Sequence, residues 1–178
     1  MEVGQSHTLL ISILIAVLLS SLGIFLFVLT VFPEYRKSGF AYFCGRQNKT
    51  PSPLDEHRCA LLGNITGRVI EFGPGPGTNF RCFENYTADD IQSIEKYVAV
   101  EPNSYFEEAM RKEQERLGLA QLPLQFVGLR GEDVDIGEDE YGTYDVVFFT
   151  HVLCSVDSVE SVLANADRAL KPGGKMIF

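Results

Sequence analysis

A long run of uncharged, mostly apolar residues near the amino terminus limits most strongly what this chain can form. Residues 9–32 are 24 positions without one Asp, Glu, Lys or Arg. As an α-helix the run would be about 36 Å long, enough to cross a hydrocarbon layer of about 30 Å. A cleaved signal peptide or a buried soluble helix is a weaker alternative, because no basic segment precedes the run and no small-residue cleavage site follows it. We therefore predict a membrane anchor that spans the bilayer or lies in its surface.

The charges beside the anchor predict its orientation. Residues 1–8 carry Glu2 but no Lys or Arg, whereas four cations follow the run, at Arg36, Lys37, Arg46 and Lys49. The positive-inside rule then places the following domain in the cytosol.

Three Asn-x-Thr sequons oppose this orientation. They begin at Asn48, Asn64 and Asn85, and such sequons are used only on the lumenal side of a membrane. Chance alone predicts about one of them at ordinary composition. Because the excess is small and Asn64 lies just before a predicted buried strand, the cytosolic orientation is the prediction.

Charge and cysteine usage exclude several functional classes. The net charge is −9, and an acidic surface repels phosphate backbones, so we expect no nucleic-acid partner. The four cysteines, Cys44, Cys59, Cys82 and Cys154, form no CxxC pair. This argues against a zinc module or other metal site and against a disulfide-stapled fold, and it suits a reducing compartment.

Alternating apolar and helical segments after the anchor predict an α/β domain. Strands are predicted at 68–72, 97–100, 124–127, 144–150 and 175–178, and helices at 53–62, 103–117 and 158–171. Short turns between them predict a doubly wound, Rossmann-like parallel sheet with helices on both faces. The predicted division is a flank over 1–8, the anchor over 9–32, a linker and helix over 33–64, and the domain over 65–178.

A glycine cluster directly after the first strand marks a ligand site. Gly73, Gly75 and Gly77 follow Glu71 at alternate positions. Glycines there let the backbone turn sharply and approach a ligand closely. Thr78 occupies the place of the last glycine in the dinucleotide fingerprint GxGxxG, so an NAD-binding oxidoreductase is a weaker alternative.

Polar residues follow the other predicted strands. Glu101 comes directly after the second strand, where a carboxylate can hold both hydroxyls of a ribose. Glu132 and Asp133 follow the third strand, where an acid can meet an adenine amino group. Thr150 and His151 end the fourth strand, at the edge where open sheets bind ligands.

These segments resemble class I S-adenosylmethionine-dependent methyltransferases. The resemblance rests on E-x-G-x-G-x-G after the first strand, the acid after the second, and Leu-Lys-Pro-Gly-Gly at 170–174. Residues 75–80, 101–103, 131–132 and 152–156 are further similar to the methyltransferase-like 7 family. Those enzymes are anchored to the endoplasmic reticulum and lipid droplets and methylate small thiols. Pro74 and Pro76 replace the usual Cys and Thr of the loop, Glu101 stands where Asp is usual, and His151 where the family is apolar.

The resemblance implies S-adenosyl-L-methionine as cofactor, a small lipophilic acceptor, a thiol, as substrate, and membrane lipid as a partner. The residues it assigns to the cofactor are Glu71, Gly73, Gly75, Gly77, Glu101, Glu132, Asp133 and Thr150. The glycines would accept the methionine part of the donor, and Glu71 would orient its ammonium through water. Glu101 would hold the ribose, and Glu132 or Asp133 the adenine.

Methyl transfer to a thiol places small demands on the protein. The donor is already activated and a few per cent of a thiol is ionised at neutral pH, so alignment matters more than a strong base. His151 is the candidate base or substrate-positioning residue, with an ordinary strand-end histidine as the alternative. Cys154 is predicted to be a buried small residue rather than a nucleophile, and His57 and Cys59 are predicted to be structural.

The order of the motifs also predicts a shortened domain. The fold resembled here usually continues beyond its fifth strand with a closing hairpin, and this sequence ends within that strand. The expectation is therefore a C-terminally truncated domain that keeps its cofactor half. A membrane-bound form that binds cofactor without turnover is the alternative function. The sequence predicts neither the acceptor's identity nor an oligomeric state.

Overall fold

The computed structural model describes residues 2–135 and 137–178, with side chains described from Leu10 onward. The chain divides into two compact units, residues 1–40 and 41–178.

Helix α1, Glu2–Val31, contains the predicted anchor. Most of its large apolar side chains are more than half exposed. The hydroxyls of Ser21 and Thr30 donate to backbone carbonyls one turn earlier, at 2.9 and 2.8 Å, so they are satisfied without water. The stretch Leu10–Val31 is long and apolar enough to cross a membrane. The predicted apolar helix is thus confirmed, and its insertion in a membrane stays a prediction.

Helix α2, Pro33–Gln47, lies in the segment 33–64 that the sequence indicated as a linker and helix. Pro33 occupies its first position, where the missing N–H of proline costs nothing. Helix α3, Asp55–Leu62, agrees with the predicted helix over 53–62.

The domain is built on one parallel sheet. Within the described residues its strands are β1 Gly67–Phe72, β2 Ile94–Val100, β3 Leu124–Val127, β4 Tyr144–Phe149 and β5 Leu170–Ile177. Their order is β3-β2-β1-β4-β5, and every adjacent pair is parallel. The predicted doubly wound sheet is confirmed. Strand order reverses between β1 and β4, and open α/β sheets bind ligands outside the carboxyl ends of the strands at such a point.

The remaining elements connect the strands. Helix α4 is Ala88–Gln92, α5 is Tyr105–Arg116 and α6 is Val159–Ala169, and two 3-10 helices cover Thr78–Phe83 and Glu138–Glu140. The sequence predicted α5 and α6 but not α4, a five-residue helix that begins with a capping box between Thr87 and Asp90. Strand β5 begins at Leu170, five residues before the predicted start.

Alternate side chains of the strands build a core on each face of the sheet. Val69 of β1 packs in a cluster with Phe80 and Met110. The next residue, Ile70, packs in a second cluster with Val162 of α6. Because successive strand side chains point to opposite faces, a sheet covered on both sides needs nearly continuous apolar strands.

The cysteines differ from the sequence-based expectation. Cys59 of α3 and Cys82 of the first 3-10 helix form a disulfide, so the expectation of a fold without disulfides is wrong. The two residues are 23 positions apart and meet only once the helices pack together. Cys44 and Cys154 are free thiols. Cys154 is exposed rather than buried as predicted, because it lies in the turn after β4.

Candidate functional site

The turn after β1 leaves an opening above one of its glycines. Gly73, Gly75 and Gly77 all have positive φ, at 67°, 55° and 82°. A Cβ on Gly73 would lie 2.4 Å from Cγ2 of Val152, and one on Gly77 would lie 3.0 Å from the ring of Phe80. At Gly75 no described atom lies within 4 Å of that position. Gly73 and Gly77 are therefore needed for packing, whereas Gly75 presents bare backbone to a ligand.

Glu71 lies fully buried at the end of β1, just before this turn. Asn79 Nδ2 donates to its Oε1 at 2.5 Å, and the Tyr97 hydroxyl donates to its Oε2. Burial raises the pKa of Glu71 to about 7, although both hydrogen bonds act in the opposite direction. A cation bound nearby would favour its ionised form.

Asn79 connects Glu71 with the end of β4. Its Nδ2 also donates to Oγ1 of Thr150 at 2.7 Å. One amide group therefore forms hydrogen bonds with both Glu71 and Thr150, two of the predicted site residues. Its Oδ1 is buried and has no hydrogen-bond partner among the described residues. A buried acceptor without a partner costs about 1–3 kcal/mol. Asn79 therefore joins Glu71 to Thr150 and keeps one buried acceptor that no described residue pairs.

Sequence reasoning missed the roles of Asn79 and Tyr97. One signal was present, because an acid inside an apolar strand requires hydrogen-bonding partners. Glu71 pairs in register with Ala99, and Tyr97 lies two residues earlier on the same face of the sheet. Predicting the contact between Glu71 and Tyr97 requires the register between β1 and β2, which cannot be read from the sequence.

Glu101, at the end of β2, reaches across to the glycine turn. Its Oε2 accepts from the backbone N–H of Gly75 at 3.2 Å, and its Oε1 accepts from that of Asn103 at 2.9 Å. The residue is 8% exposed, and burial raises the pKa of its carboxyl, opposed by these two hydrogen bonds. The structure thus brings Glu71, Glu101 and Thr150 to the same turn.

The acids after β3 are placed differently. The Glu132 carboxylate accepts from the backbone N–H groups of Asp157 and Ser158 at 2.6 and 3.3 Å. Burial alone would raise its pKa, but Arg130 and the backbone donors hold that pKa at about 2. Asp133 is mostly exposed, 3.7 Å from Arg130. Glu132 therefore holds the loop that leads into α6, and the contact of either acid with adenine stays a prediction.

A cavity of about 380 Å³ lies beside the glycine turn. Pro76 and Thr78 of the turn line it together with His151, Leu54 and Cys44. His151 is exposed and has a φ of 56°, a conformation that costs a non-glycine residue about 1–2 kcal/mol. Burial, and then the charge of Glu101, raise the pKa of the Cys44 thiol. The cavity can hold a small molecule next to the opening above Gly75.

Comparison with known proteins identifies the family. The profile described as a methyltransferase domain matches residues 43–178. The chain belongs to the methyltransferase-domain family. The family and the fold predicted for this methyltransferase domain are thereby confirmed.

Two human relatives of this methyltransferase domain are thiol S-methyltransferases. The chain is 34% identical to thiol S-methyltransferase TMT1B of Homo sapiens over 119 residues, covering 66% of this chain and 44% of the relative. It is 32% identical to thiol S-methyltransferase TMT1A of Homo sapiens over 110 residues, covering 62% and 41%. The chain therefore spans less than half the length of these curated relatives.

Solved structures share the fold of this methyltransferase domain. A Methanococcus maripaludis protein assigned as an S-adenosyl-L-methionine-dependent methyltransferase superposes with a TM-score of 0.60 and 19% identity, covering 79% of this chain and 62% of its own. Phosphoethanolamine N-methyltransferase 2 of Haemonchus contortus, solved with S-adenosylhomocysteine, gives a TM-score of 0.53 and 16% identity, covering 68% and 27%.

Proposed function

We propose that the chain binds S-adenosyl-L-methionine at the glycine turn and transfers the methyl group to a small thiol. The observation that carries this proposal is the bare backbone of Gly75 beside the carboxylate of Glu101, in a member of the methyltransferase-domain family. The thiol S-methyltransferase relatives support the acceptor class.

The residues at the turn fit the donor chemically. The donor carries an ammonium group and a ribose diol, and when bound it supplies a methyl group on a positively charged sulfur. Glu71 and the Oδ1 of Asn79, which no described residue pairs, are acceptors suited to the ammonium, directly or through one water. Glu101 directly follows β2, and a carboxylate at that point of such a fold can hold ribose hydroxyls.

The other predicted cofactor residues have supporting roles. Gly73 and Gly77 keep the turn packed so that Gly75 stays open. Thr150 orients Asn79 through its hydroxyl. Glu132 fixes the loop that follows β3. Asp133, which is mostly exposed, is the acid of this pair that is free to contact an adenine amino group.

The cavity beside the turn is the proposed acceptor site. Alignment of the acceptor with the donor accounts for most of the rate, because the donor is already activated. His151 at the cavity wall can accept the proton that a thiol releases as its sulfur takes the methyl group. No strong base is required, since a few per cent of a free thiol is already ionised at neutral pH.

Helix α1 would bring the domain to a lipid surface. Its apolar surface supports attachment to a membrane, and the resemblance to the methyltransferase-like 7 family suggests the endoplasmic reticulum or a lipid droplet. A lipophilic thiol concentrated in that membrane would then reach the domain by lateral diffusion. Flanking charge favours a cytosolic domain, whereas the Cys59–Cys82 disulfide favours the opposite side of the membrane.

A methyl-transfer assay tests this function. The full chain in detergent micelles is mixed with methyl-labelled S-adenosylmethionine and an alkyl thiol, and the thioether is measured by mass spectrometry. We expect labelled thioether from the wild-type chain, much less from Glu101→Gln, and near-normal amounts from the control Glu132→Gln. Label on an amine or alcohol but not on the thiol would overturn the acceptor class. Donor binding without transfer would instead support a cofactor-binding form without turnover.

A further inference from the structure

A disulfide and a tyrosine together bind two segments of the domain. The Cys59–Cys82 disulfide joins α3 to the first 3-10 helix. A few residues further along both segments, the Tyr86 hydroxyl donates to the carbonyl of Leu62 and accepts from the N–H of Ile65, both at 3.1 Å. Residues 59–66 and 82–87 therefore form one unit, called here the stapled unit.

Two of the three Asn-x-Thr sequons lie in the stapled unit. Asn64, followed by Ile65 and Thr66, is exposed in a turn with a φ of 63°. Asn85, followed by Tyr86 and Thr87, is exposed in the turn between the 3-10 helix and α4. The third, Asn48, is only 8% exposed. Exposed turns are the usual location of glycosylated asparagines.

Asn64 of the stapled unit lies at the opposite end of strand β1 from the glycine turn. Asn64 precedes Gly67, the first residue of β1, whereas the turn at Gly73 follows the last. The strand has six residues, so the two ends are about 20 Å apart. A large substituent on Asn64 would therefore leave the proposed donor site accessible.

We propose that the domain resides in an oxidising, lumenal compartment, where Cys59 and Cys82 are joined and Asn64 and Asn85 carry N-linked oligosaccharides. Disulfides persist in such compartments and are rare in the cytosol. A lipid-linked oligosaccharide pyrophosphate is the donor: the asparagine Nδ2 bonds to the anomeric carbon, the lipid pyrophosphate leaves, and the amide loses one proton. The two thiols lose two electrons and two protons to the disulfide of an oxidoreductase, which becomes a dithiol.

This proposal reverses the orientation predicted from flanking charge. The positive-inside rule is a bias in the distribution of Lys and Arg, and it has exceptions. The disulfide and the exposed sequons are independent of that bias and agree with each other. An oxidising lumen also fits the endoplasmic reticulum and not the cytosolic surface of a lipid droplet.

Glycosidase digestion tests the modification. The tagged full chain is expressed in a eukaryotic cell and treated with peptide-N-glycosidase before electrophoresis. We expect digestion to remove two oligosaccharides from the wild-type chain and so to increase its mobility. Asn64→Gln and Asn85→Gln should each lose one oligosaccharide on digestion, and the mobility of the double variant should not change. Thr66→Ala should match Asn64→Gln, whereas Thr66→Ser keeps the sequon and should match the wild type. An unchanged mobility of the wild-type chain after digestion would overturn the assignment of both asparagines.

Thiol counting tests the compartment without relying on glycans or on methyl transfer. Cells are quenched in acid, and the denatured full chain is labelled with a polymer-linked maleimide. We expect two labels before reduction, on Cys44 and Cys154, and four after it. Cys59→Ser should label at three positions with or without reductant. Four labels on the unreduced wild-type chain would overturn the oxidised, lumenal placement, whether or not the chain transfers methyl groups.

Discussion

Glu71 at the end of β1 and Glu101 directly after β2 differ from Glu132, which follows β3, in the direction in which their pKa is shifted. Burial raises the pKa of Glu71 and of Glu101 beside the glycine turn, whereas hydrogen bonds lower that of Glu132 at the start of α6. A raised carboxyl pKa lowers the stability of the fold near neutral pH, and a lowered one increases it. Acids held at such a cost are found most often at functional sites. We therefore propose that Glu71 and Glu101 bind the ligand and that Glu132 supports the structure.

The largest expected effect is a difference in stability between alanine variants of two glycines in the same turn. Gly73→Ala forces a methyl group onto Val152 in a left-handed backbone, which should lower the free energy of unfolding by about 4 kcal/mol. Gly75→Ala meets no described atom and should cost only about 1 kcal/mol. Its methyl group should nevertheless obstruct the donor. Chemical denaturation and donor titration of both variants measure this difference, and equal losses of stability would contradict the packing role of Gly73.

The pH dependence of stability tests the cost of burying Glu71. Its pKa of about 7 in the fold exceeds the ordinary 4.5, so its contribution to stability is present below pH 4.5 and is lost as pH rises to 7. Between pH 4.5 and 7 the free energy of unfolding should therefore fall by about 3 kcal/mol less in Glu71→Gln than in the wild type. Denaturation of both proteins at pH 4.5, 6 and 8 measures it, and parallel curves would show that Glu71 ionises normally.

Substitution of one acid in each region gives the third test. Glu101→Gln should weaken donor binding by about tenfold or more, because hydrogen bonds to a charged group contribute about 1.5–3 kcal/mol. Glu132→Gln should leave donor affinity nearly unchanged. Glu132→Gln should also be less stable than the wild type near neutral pH. The wild type should lose this advantage as pH falls from 4.5 towards 2, whereas the stability of the variant should not change for this reason. Donor titration and acid denaturation of both variants check this, and weak binding by Glu132→Gln would place it at the donor.

Regular elements of the fold were predictable from the sequence because their signals are local. The strands follow from short apolar runs between polar or turn-forming residues, and α6 follows from apolar residues at helical spacing. The start of β5 at Leu170 and the short helix α4 were not predicted. The first residues of β5 include a proline and two glycines, which are typical of turns and not of strands. Helix α4 depends on a capping box and not on an apolar face.

The candidate site was predictable only in part, for a related reason. The glycine turn and Glu101 follow from their positions directly after strands. The contact between Glu71 and Tyr97 depends on the register between β1 and β2, and the Cys59–Cys82 bond depends on how two helices pack. Glu132 was assigned to the cofactor from its position alone, and the structure engages its carboxylate at the start of α6.

Direct titration of the full chain in detergent micelles with S-adenosylmethionine, and separately with NAD, tests the central assignment of the glycine turn. We predict saturable binding of one S-adenosylmethionine per chain, a large loss of that affinity in Glu101→Ala, and no saturable binding of NAD. Binding of NAD without binding of S-adenosylmethionine, or an unchanged donor affinity in Glu101→Ala, would contradict the assignment of this turn to the methyl donor.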